Sequence, residues 1–466
     1  ESSAGACDRN ADTAGDGAVR NRGSGRSRGA RGIWSALAAV ALMVVATGSA
    51  RAQLQTPFPS WPSGALEPPA VGPRGETVFG RPRPDYDPLG IRQGSFLLYP
   101  SGAIAETYDS NVFATQTGGT DDFYTRLIPA LTVKSDWNQH ALGLTLSGEV
   151  KKYAHHTTED VNNFSSDAVG RYDIRRGEYI SVEGIYQLLH EDRSSPNSLV
   201  GAKVPTEYHV MGGDLSYVRE LGRLGLRIDS AVTGYDFNNN STATGVVLPQ
   251  NFRDRIEYAV APRLTYEIVP GYNAFVRVVG NERQYFSQEP GAGPHGENVR
   301  RNSHGWEVDA GTAIELTSIT AAELYIGYLH QDYENPLLKS VSGPSFGGSL
   351  IWNVTPIDTI RASFSEAVGE TTLTGASSTL ETGFSATAEH ELLTNLLLLA
   401  SLGFVHDDYQ WNPRKDDTYG ANVGARYLLN RNWTASADLT YSKRASNVPG
   451  GNYDRVIGTL GVKLGF

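Results

Sequence analysis

The chain has very little sulfur. It contains one cysteine, Cys7, and two methionines among its 466 residues. Because Cys7 lies so close to the start, the rest of the chain offers no thiol for a disulfide bond, a cysteine-ligated metal or a cysteine nucleophile. A chain without thiols also suits export to an oxidising compartment.

Positive charge is in deficit as well. The 40 lysine and arginine residues are outnumbered by 51 aspartates and glutamates, so that the formal net charge is -11. The sequence has no basic stripe of the kind that follows a phosphate backbone. We therefore expect no nucleic-acid partner.

Long apolar runs are also missing. The run at residues 33–45 is too short to cross a bilayer comfortably as a helix, which disfavours the alternative of a membrane anchor. Five arginines between residues 20 and 31 precede it, and Ala50-Arg51-Ala52 follows it. A basic flank, a short apolar core and a small-x-small site predict a secretory signal peptide that is cleaved after Ala52. Residues 1–52 are thus predicted to be an N-terminal extension and signal peptide.

Proline is concentrated in the next segment. Nine of the 23 prolines fall within residues 53–94. Proline removes a backbone donor and opposes both helix and sheet, so this composition predicts a disordered or extended periplasmic segment. A plug inside the following domain is the alternative, although the segment has few apolar residues with which to pack one.

Glycine and tyrosine are abundant, with 51 and 23 residues. The mean hydropathy of -0.33 is too low for a bundle of membrane helices. It suits a β-barrel, in which only every second residue contacts lipid and aromatic side chains form girdles at the membrane surfaces.

The rest of the chain alternates apolar and polar side chains with a period of two. In the last predicted strand, Leu460 and Val462 have one parity, while Arg455 and Lys463 have the other. Such alternation predicts strands with one face toward lipid and one toward a watery lumen. The strand ends in Phe466, and we interpret this terminal aromatic as part of the strand that closes a barrel.

Connections between the predicted strands alternate between short and long. Short turns at one rim and long loops at the other are typical of outer-membrane barrels. The fold predicted for residues 95–466 is therefore all-β, a transmembrane antiparallel up-and-down β-barrel of about 18 strands with both ends in the periplasm. A soluble β-sandwich would give the same alternation and is the alternative.

The parity of each predicted strand also indicates which charged side chains face the lumen. The candidates are Lys151, Arg171, Arg227, Arg255, Arg263, Arg277, Arg361, Arg426, Lys463, Glu149, Glu183, Glu257, Glu267, Glu307 and Asp309. The near balance of the two signs predicts weak ion selectivity. The alternative for each residue is that it pairs across strands and braces the wall. The excess of arginine over lysine would suit contacts with an acidic polysaccharide.

Motifs for catalysis are weak. Residues 343–347 match the pattern of a nucleophile elbow, but no helix is predicted after them. His390 and Glu391 lack the second histidine of a zinc-binding helix. His155 and His156 fall in a predicted external loop, where solvated polar side chains are common. We expect no catalytic residues, no cofactor, no metal and therefore no enzyme.

Three stretches of the sequence resemble the putative beta-barrel porin 2 family of Gram-negative bacteria. They are Ala-Glu-Thr-Tyr-Asp-Ser-Asn-Val-Phe at 105–113, Ile-Pro-Ala-Leu-Thr-Val-Lys-Ser-Asp-Trp at 128–137, and the run 148–196. These are strand and turn signatures, and they are clearest in the first third of residues 95–466. The resemblance implies an outer-membrane barrel, and some family members are associated with exopolysaccharide production. It brings no catalytic residues.

We therefore expect a channel in the bacterial outer membrane that passes hydrophilic solute. Exopolysaccharide export is its most specific version, and a general or nutrient porin is the alternative. An outer-membrane hydrolase and a structural barrel with a blocked lumen are the other hypotheses. The expected partners are outer-membrane lipid, the barrel assembly machinery acting on the C-terminal strand, and a polysaccharide.

Overall fold

A computed structural model describes residues 77–293, 295–316 and 319–466. The predicted signal peptide and most of the proline-rich segment lie outside these described residues. The described part forms a barrel of 18 long antiparallel strands, each hydrogen-bonded to the next along the chain. The first of these strands also pairs with the last, so the sheet is closed.

The barrel strands are β1 (Phe96–Asp109), β2 (Asp122–Ser135), β3 (Ala141–Tyr153), β4 (Val161–Arg175), β5 (Glu178–His190), β6 (Glu207–Leu221), β7 (Leu224–Phe237), β8 (Arg255–Val269), β9 (Tyr272–Tyr285), β10 (Ser303–Leu316), β11 (Thr320–Tyr333), β12 (Val341–Thr355), β13 (Asp358–Gly369), β14 (Thr379–Leu393), β15 (Leu396–Tyr409), β16 (Lys415–Leu428), β17 (Trp433–Ser446) and β18 (Tyr453–Gly465). Their lengths of 12 to 15 residues suffice to cross a bilayer at a tilt. A short strand at Ile91–Gln93 pairs with the start of β1.

Closure of the barrel depends on β1 and β18. Their register runs from Ser101 opposite Gly465 to Asp109 opposite Ile457. Phe466 follows this ladder, and its backbone N–H donates to the carbonyl of residue 100 at 3.1 Å. A closed sheet has no edge strand with unpaired backbone groups. The prediction of an all-β barrel of 18 strands is confirmed, and the alternative of a soluble sandwich is wrong.

The connections differ in length between the two rims, as predicted. They have two to five residues at one rim, whereas at the other rim the loop between β7 and β8 has 17. Gly222 is the first residue of its two-residue turn and has φ of 65°, which suits a type II′ hairpin turn. Gly177 and Gly271 are the second residues of theirs and have φ of 74° and 83°, a region that glycine adopts without strain. Both ends of the barrel, Phe96 and Gly465, lie at the short-turn rim, which is periplasmic in outer-membrane barrels.

The outward face of the wall is apolar. Along β8, Tyr258 and Leu264 are 41% and 56% exposed, whereas Ala261 is 1% exposed, so alternate side chains point out of the barrel and into it. Exposed aromatic residues near the long-loop rim include Trp306, Tyr328, Tyr419 and Tyr441, and those near the short-turn rim include Tyr266, Trp352, Tyr427 and Trp433. Two such girdles are typical of a lipid-facing wall. Among the described residues, no helix is long and apolar enough to cross a membrane.

The structure corrects the expectation of disorder for part of the proline-rich segment, residues 77–93. Val78 is fully buried at the inner wall, and its N–H donates to Thr359 Oγ1 at 3.0 Å. Arg83 forms an ion pair with Glu391 of β14 at 2.7 Å. Composition did not reveal this placement, because the segment is held by backbone groups and arginine rather than by apolar packing.

The assignment of faces can be tested at the middle of β15. Leu402 is 62% exposed there, while the adjacent Ser401 points inward and hydrogen-bonds to Thr387. A charge on the lipid face at the bilayer midplane costs about 2–4 kcal/mol. We expect Leu402→Arg to lower the free energy of unfolding in phospholipid vesicles by about that amount, as measured by urea titration. Ser401→Arg is the matched control and should cost far less; equal losses would contradict the assignment.

Candidate functional site

Charged side chains meet across the interior of the barrel. Arg263 on β8 donates from both Nη atoms to Glu323 on β11, at 3.0 and 2.9 Å. Because these strands are not neighbours, the pair can form only inside the closed sheet. Arg277 on β9 donates to Asp309 on β10 at 2.7 Å, and Asp309 is fully buried. These pairs join β8 through β11 on the inner side of the wall.

The fifteen charged residues predicted for the lumen all have the inward parity of their strands. Most have an oppositely charged partner: Arg263 with Glu323, Arg277 with Asp309 and Glu307, Arg255 with Glu257, Arg227 with Asp229, Arg361 with Glu389, Arg171 with Asp173, and Glu149 with Arg126. Of the others, Lys151 lies over the ring of Tyr124 and Arg426 over the ring of Phe79, while Lys463 is opposite Thr434 and Glu267 is opposite Asn273. Glu183 is opposite Asp214 on the neighbouring strand. An arginine that is already bound to a carboxylate braces the wall and has few donors left for a solute.

Uncharged polar side chains form a different surface on β13 to β17. This hydroxyl wall consists of Ser363, Ser385, Thr387, Ser401, Asn422 and Thr440. Its members bond in pairs across neighbouring strands, at 2.8 Å, 3.1 Å and 2.8 Å in that order. Hydroxyl and amide groups both donate and accept, so each can exchange its partner for water or for a solute hydroxyl.

The loop between β5 and β6, residues 191–206, folds over the outer mouth of the lumen. Glu191 binds Arg253 through two hydrogen bonds of 2.8 and 3.2 Å. Asp192 accepts from Arg455 of β18 at 3.0 Å. Strand β18 is several strands away from β5 around the barrel, so the loop must extend across the opening to reach it. We call residues 191–206 the first half-lid.

The loop between β13 and β14, residues 370–378, covers another part of the mouth. Glu370 accepts from Arg283 of β9 at 2.6 Å and from the hydroxyl of Tyr285. Arg301 donates to the carbonyl of Ala376 at 2.7 Å. Strand β9 is not a neighbour of β13, so this loop also leans inward. We call residues 370–378 the second half-lid.

Asn197 joins the two half-lids. Its Nδ2 donates to the carbonyl of Glu370 at 3.3 Å, and its Oδ1 accepts from Thr372 N at 3.1 Å and Thr372 Oγ1 at 3.3 Å. In the part of the chain that the structure describes, the hydrogen bonds between the half-lids are these three. A neutral hydrogen bond contributes about 0.5–1.5 kcal/mol, whereas breaking a buried ion pair costs about 3–5 kcal/mol. The seam between the half-lids therefore consists of neutral hydrogen bonds made by Asn197, a residue that no sequence pattern had indicated.

The anchor of the second half-lid keeps its charge at neutral pH. Burial alone would raise the pKa of Glu370, but Arg283, Arg255 and the Tyr285 hydroxyl together hold this pKa below its ordinary value. A lowered carboxyl pKa stabilises the folded state above the ordinary value and loses that effect only as the pH falls through the lowered value. Mild acidification should therefore leave this anchor intact.

The motifs considered for catalysis have structural roles. Ser345, the serine of the nucleophile-elbow match, lies within β12 rather than at a strand-to-helix turn, and its hydroxyl donates to Glu307 at 2.7 Å. His155 and His156 each contact the buried carboxylate of Asp122, at 2.9 and 3.0 Å. Within the described ranges, no group of three or more His, Asp or Glu side chains is placed to hold a metal ion.

We expect Asn197→Ala to open the outer mouth more often. The variant loses the seam while the ion pairs of both half-lids remain, and a loss of at least about 1 kcal/mol would raise the ratio of open to closed states at least about fivefold. Single-channel recording in planar bilayers measures this ratio. Asn298→Ala is the matched control, because Asn298 Oδ1 accepts from Gly291 N within a single loop. An unchanged ratio in Asn197→Ala, or an equal change in the control, would contradict the assignment of the seam.

The loop between β7 and β8 should respond to pH through Asp254. Burial and the nearby Asp236 raise the pKa of Asp254 to about 7, although its carboxylate accepts from Phe237 N at 2.8 Å. A raised carboxyl pKa favours the folded state at low pH, and this contribution is lost as the pH rises through about 7. We expect amides of residues 238–254 to be less protected from hydrogen exchange at pH 8.5 than at pH 5.5, after correction for intrinsic rates, by about 1–2 kcal/mol. Asp254→Asn should remove this difference in protection, whereas the control Asp121→Asn should not. If the difference persists in Asp254→Asn, titration of Asp254 is not its cause.

The solved structures that match this chain include proteins of Pseudomonas aeruginosa. The outer membrane protein OpdK has 9% sequence identity with this chain and a TM-score of 0.41, with 79% of this chain and 99% of that chain covered. OccK2 (OpdF) has 11% identity and a TM-score of 0.43, with 79% and 98% covered. OccK3 (OpdO) has 12% identity and a TM-score of 0.40, with 79% and 95% covered. No curated protein matches the chain.

The sequence profile of the family described as "Putative beta-barrel porin 2" matches residues 83–466. This range contains the whole barrel, from β1 to β18. The family and the closed barrel with its apolar outer face together indicate the bacterial outer membrane. The chain therefore belongs to this family of beta-barrel porins and is a porin-like channel.

Proposed function

We propose that the channel passes neutral, hydroxyl-rich solutes along the hydroxyl wall of β13 to β17. The supporting observation is the chemistry of that wall, where Ser363 and Ser385 bond to each other at 2.8 Å and Thr387 to Ser401 at 3.1 Å. A sugar hydroxyl can replace such a neutral bond without leaving a charge unpaired. Barrels of 16 to 18 strands are wide enough to leave an aqueous channel.

The pairing of the arginines favours a neutral solute over an acidic one. Arg263 and Arg277, which could bind carboxylate or phosphate groups, already bind Glu323 and Asp309. An acidic polymer would have to displace these partners and leave a buried carboxylate without its counter-ion, which is costly. The idea that the arginine excess selects an acidic polysaccharide is therefore not part of this proposal.

The most specific version of the proposal is export of an exopolysaccharide, and a general or nutrient porin is the alternative. The two differ in the length of solute that the hydroxyl wall must accommodate. Successive neutral bonds across β13 to β17 would bind a longer sugar chain more tightly than a short one. If longer oligosaccharides block the ion current more strongly, the result favours export of a polysaccharide. If the block does not depend on oligosaccharide length, the result favours a general porin.

The refolded protein should give step-like currents in planar bilayers, and neutral oligosaccharides should block them. In the variant Ser363→Ala with Ser385→Ala, two hydroxyls are removed without a change of charge. We expect block by a neutral hexasaccharide to weaken by about fivefold, for the loss of about 1 kcal/mol, while the conductance in salt alone stays the same.

Ser230→Ala is the matched control for this variant. Ser230 is opposite Leu215, which is 48% exposed, and so it lies on the lipid face of β7. The neutral hexasaccharide should block the current of Ser230→Ala as strongly as it blocks the current of the unmodified protein. Absence of currents from a folded barrel would contradict the channel, and undiminished block in the double variant would contradict the role of the hydroxyl wall.

A further inference from the structure

Residues 77–83 lie inside the barrel at its periplasmic end. The backbone N–H of Val78 donates to Thr359 Oγ1 of β13 at 3.0 Å, and the N–H of Phe79 donates to Glu389 Oε2 of β14 at 2.9 Å. Val78 and Thr359 are fully buried, and Glu389 is 2% exposed. The wall thus binds the backbone of this segment as one strand would bind another, but through side chains.

Side chains of the segment add charged contacts. Arg83 donates to Glu391 of β14 at 2.7 Å and to the carbonyl of Val78 at 2.8 Å. The guanidinium of Arg426 on β16 lies over the ring of Phe79 at 4.9 Å. Opposite charges, a cation over an aromatic ring and two backbone donors therefore hold seven residues on three strands.

The position of these partners defines where the segment sits. Thr359 is the second residue of β13 after its short turn, Glu391 is two residues before the end of β14, and Arg426 is two residues before the end of β16. All of them have inward parity and lie at the short-turn rim. The segment therefore occupies the periplasmic exit below the hydroxyl wall, on the same side of the lumen.

We propose that residues 77–83 are an exit plug, which narrows the periplasmic end of the channel and can leave it without unfolding the barrel. The proposal rests on the proposed function as a channel. The inner-wall surface that receives the plug is formed by Thr359, Glu389, Glu391 and Arg426. The first strand that pairs with the sheet begins at Ile91, so residues 77–83 contribute no hydrogen bond to the barrel ladder. Their release breaks the contacts just described and those of Arg81, which donates to the carbonyl of Pro356 and lies near Glu391.

Release would also change the charge of the exit. Glu389 keeps Arg361 as its partner at 2.8 Å, but Glu391 is neutralised by Arg83 and, at 3.9 Å, by Arg81. Departure of the plug removes both arginines and leaves Glu391 facing the opening. A carboxylate at a pore mouth attracts cations. The plug therefore controls both the width of the exit and its preference between ions.

A charge swap tests this directly. In Arg83→Glu, two carboxylates oppose each other at the docking surface, so the plug should be released. We expect a larger single-channel conductance and a reversal potential shifted toward cation selectivity in a salt gradient. The double variant Arg83→Glu with Glu391→Arg restores an opposite pair and should return both quantities toward those of the unmodified protein.

Arg92→Glu is the matched control. Arg92 pairs with Asp136 at 2.7 Å at the same rim, but both side chains are at least half exposed, and Arg92 lies in the short strand beside β1 rather than in the segment 77–83. This variant changes the charge as Arg83→Glu does and should alter neither conductance nor selectivity. An equal effect of Arg92→Glu and Arg83→Glu would overturn the plug, as would a swap that fails to restore the exit.

Thiol labelling gives a readout that does not depend on conduction. With Cys7→Ser as background, Val78→Cys places a thiol at a fully buried position of the full chain. A water-soluble maleimide should label it slowly, and much faster when Arg83→Glu is added. Fast labelling without Arg83→Glu, or no acceleration by it, would overturn the plug. A folded protein that shows the expected labelling but no currents would contradict the channel and leave the docking of residues 77–83 supported.

A variant that fails to fold can be told from one that releases the plug by its mobility on detergent gels before and after heating, since folded barrels resist denaturation by detergent. Phe79→Ala serves as the second variant, because it introduces no repulsion and removes the ring beneath Arg426. It should raise conductance and labelling in the same direction as Arg83→Glu, to a smaller extent. Unchanged labelling in Phe79→Ala, made with Val78→Cys, would count against the plug.

Discussion

Hydrocarbon offers no hydrogen-bond partner to a backbone N–H or C=O group, and this constraint decides the structure. The pairing of β1 with β18, from Ser101 opposite Gly465 to Asp109 opposite Ile457, removes the last two edges of the sheet. Once the sheet is closed, the parity of every strand is fixed, because a shift by one residue would turn Leu402 into the lumen and Ser401 into lipid. The faces, the girdles and the lumen all follow from that closure.

Closure also explains why the interior is organised by ion pairs. Charged side chains that point inward from 18 strands share one enclosed space, so an arginine such as Arg263 can reach Glu323 three strands away. Strands β8 to β11 carry the pairs Arg263–Glu323 and Arg277–Asp309, while β13 to β17 also carry hydroxyl groups that bond to each other across neighbouring strands. A simple count of signs therefore misses the arrangement: most of the charges are paired locally, and neutral hydroxyl groups on β13 to β17 remain for solute.

The sequence was sufficient for the barrel and insufficient for its two openings. Alternation with a period of two is a local signal, and the lengths of turns and loops are read directly along the chain, so strand number and orientation could be predicted. The openings depend on contacts between residues far apart in sequence. Asp192 and Arg455 are separated by 263 positions, and Val78 and Thr359 by 281. Neither pair belongs to a periodic pattern, and the prolines near Val78 indicated only what that segment could not form.

The half-lids and residues 77–83, which cover the two openings, are held largely by polar contacts, and polar contacts suit segments that have to move. When an apolar contact opens, the exposure of its surface to water costs about 25 cal/mol per Å². Water offers no interaction that replaces the lost contact. A hydrogen bond such as that between Asn197 and Thr372 is replaced by one to water, so its net contribution is only about 0.5–1.5 kcal/mol. The wall is different, because its ladder bonds face hydrocarbon on one side and cannot exchange in this way. The half-lids and residues 77–83 are held mainly by polar contacts that water can replace, so they can move while the wall stays closed.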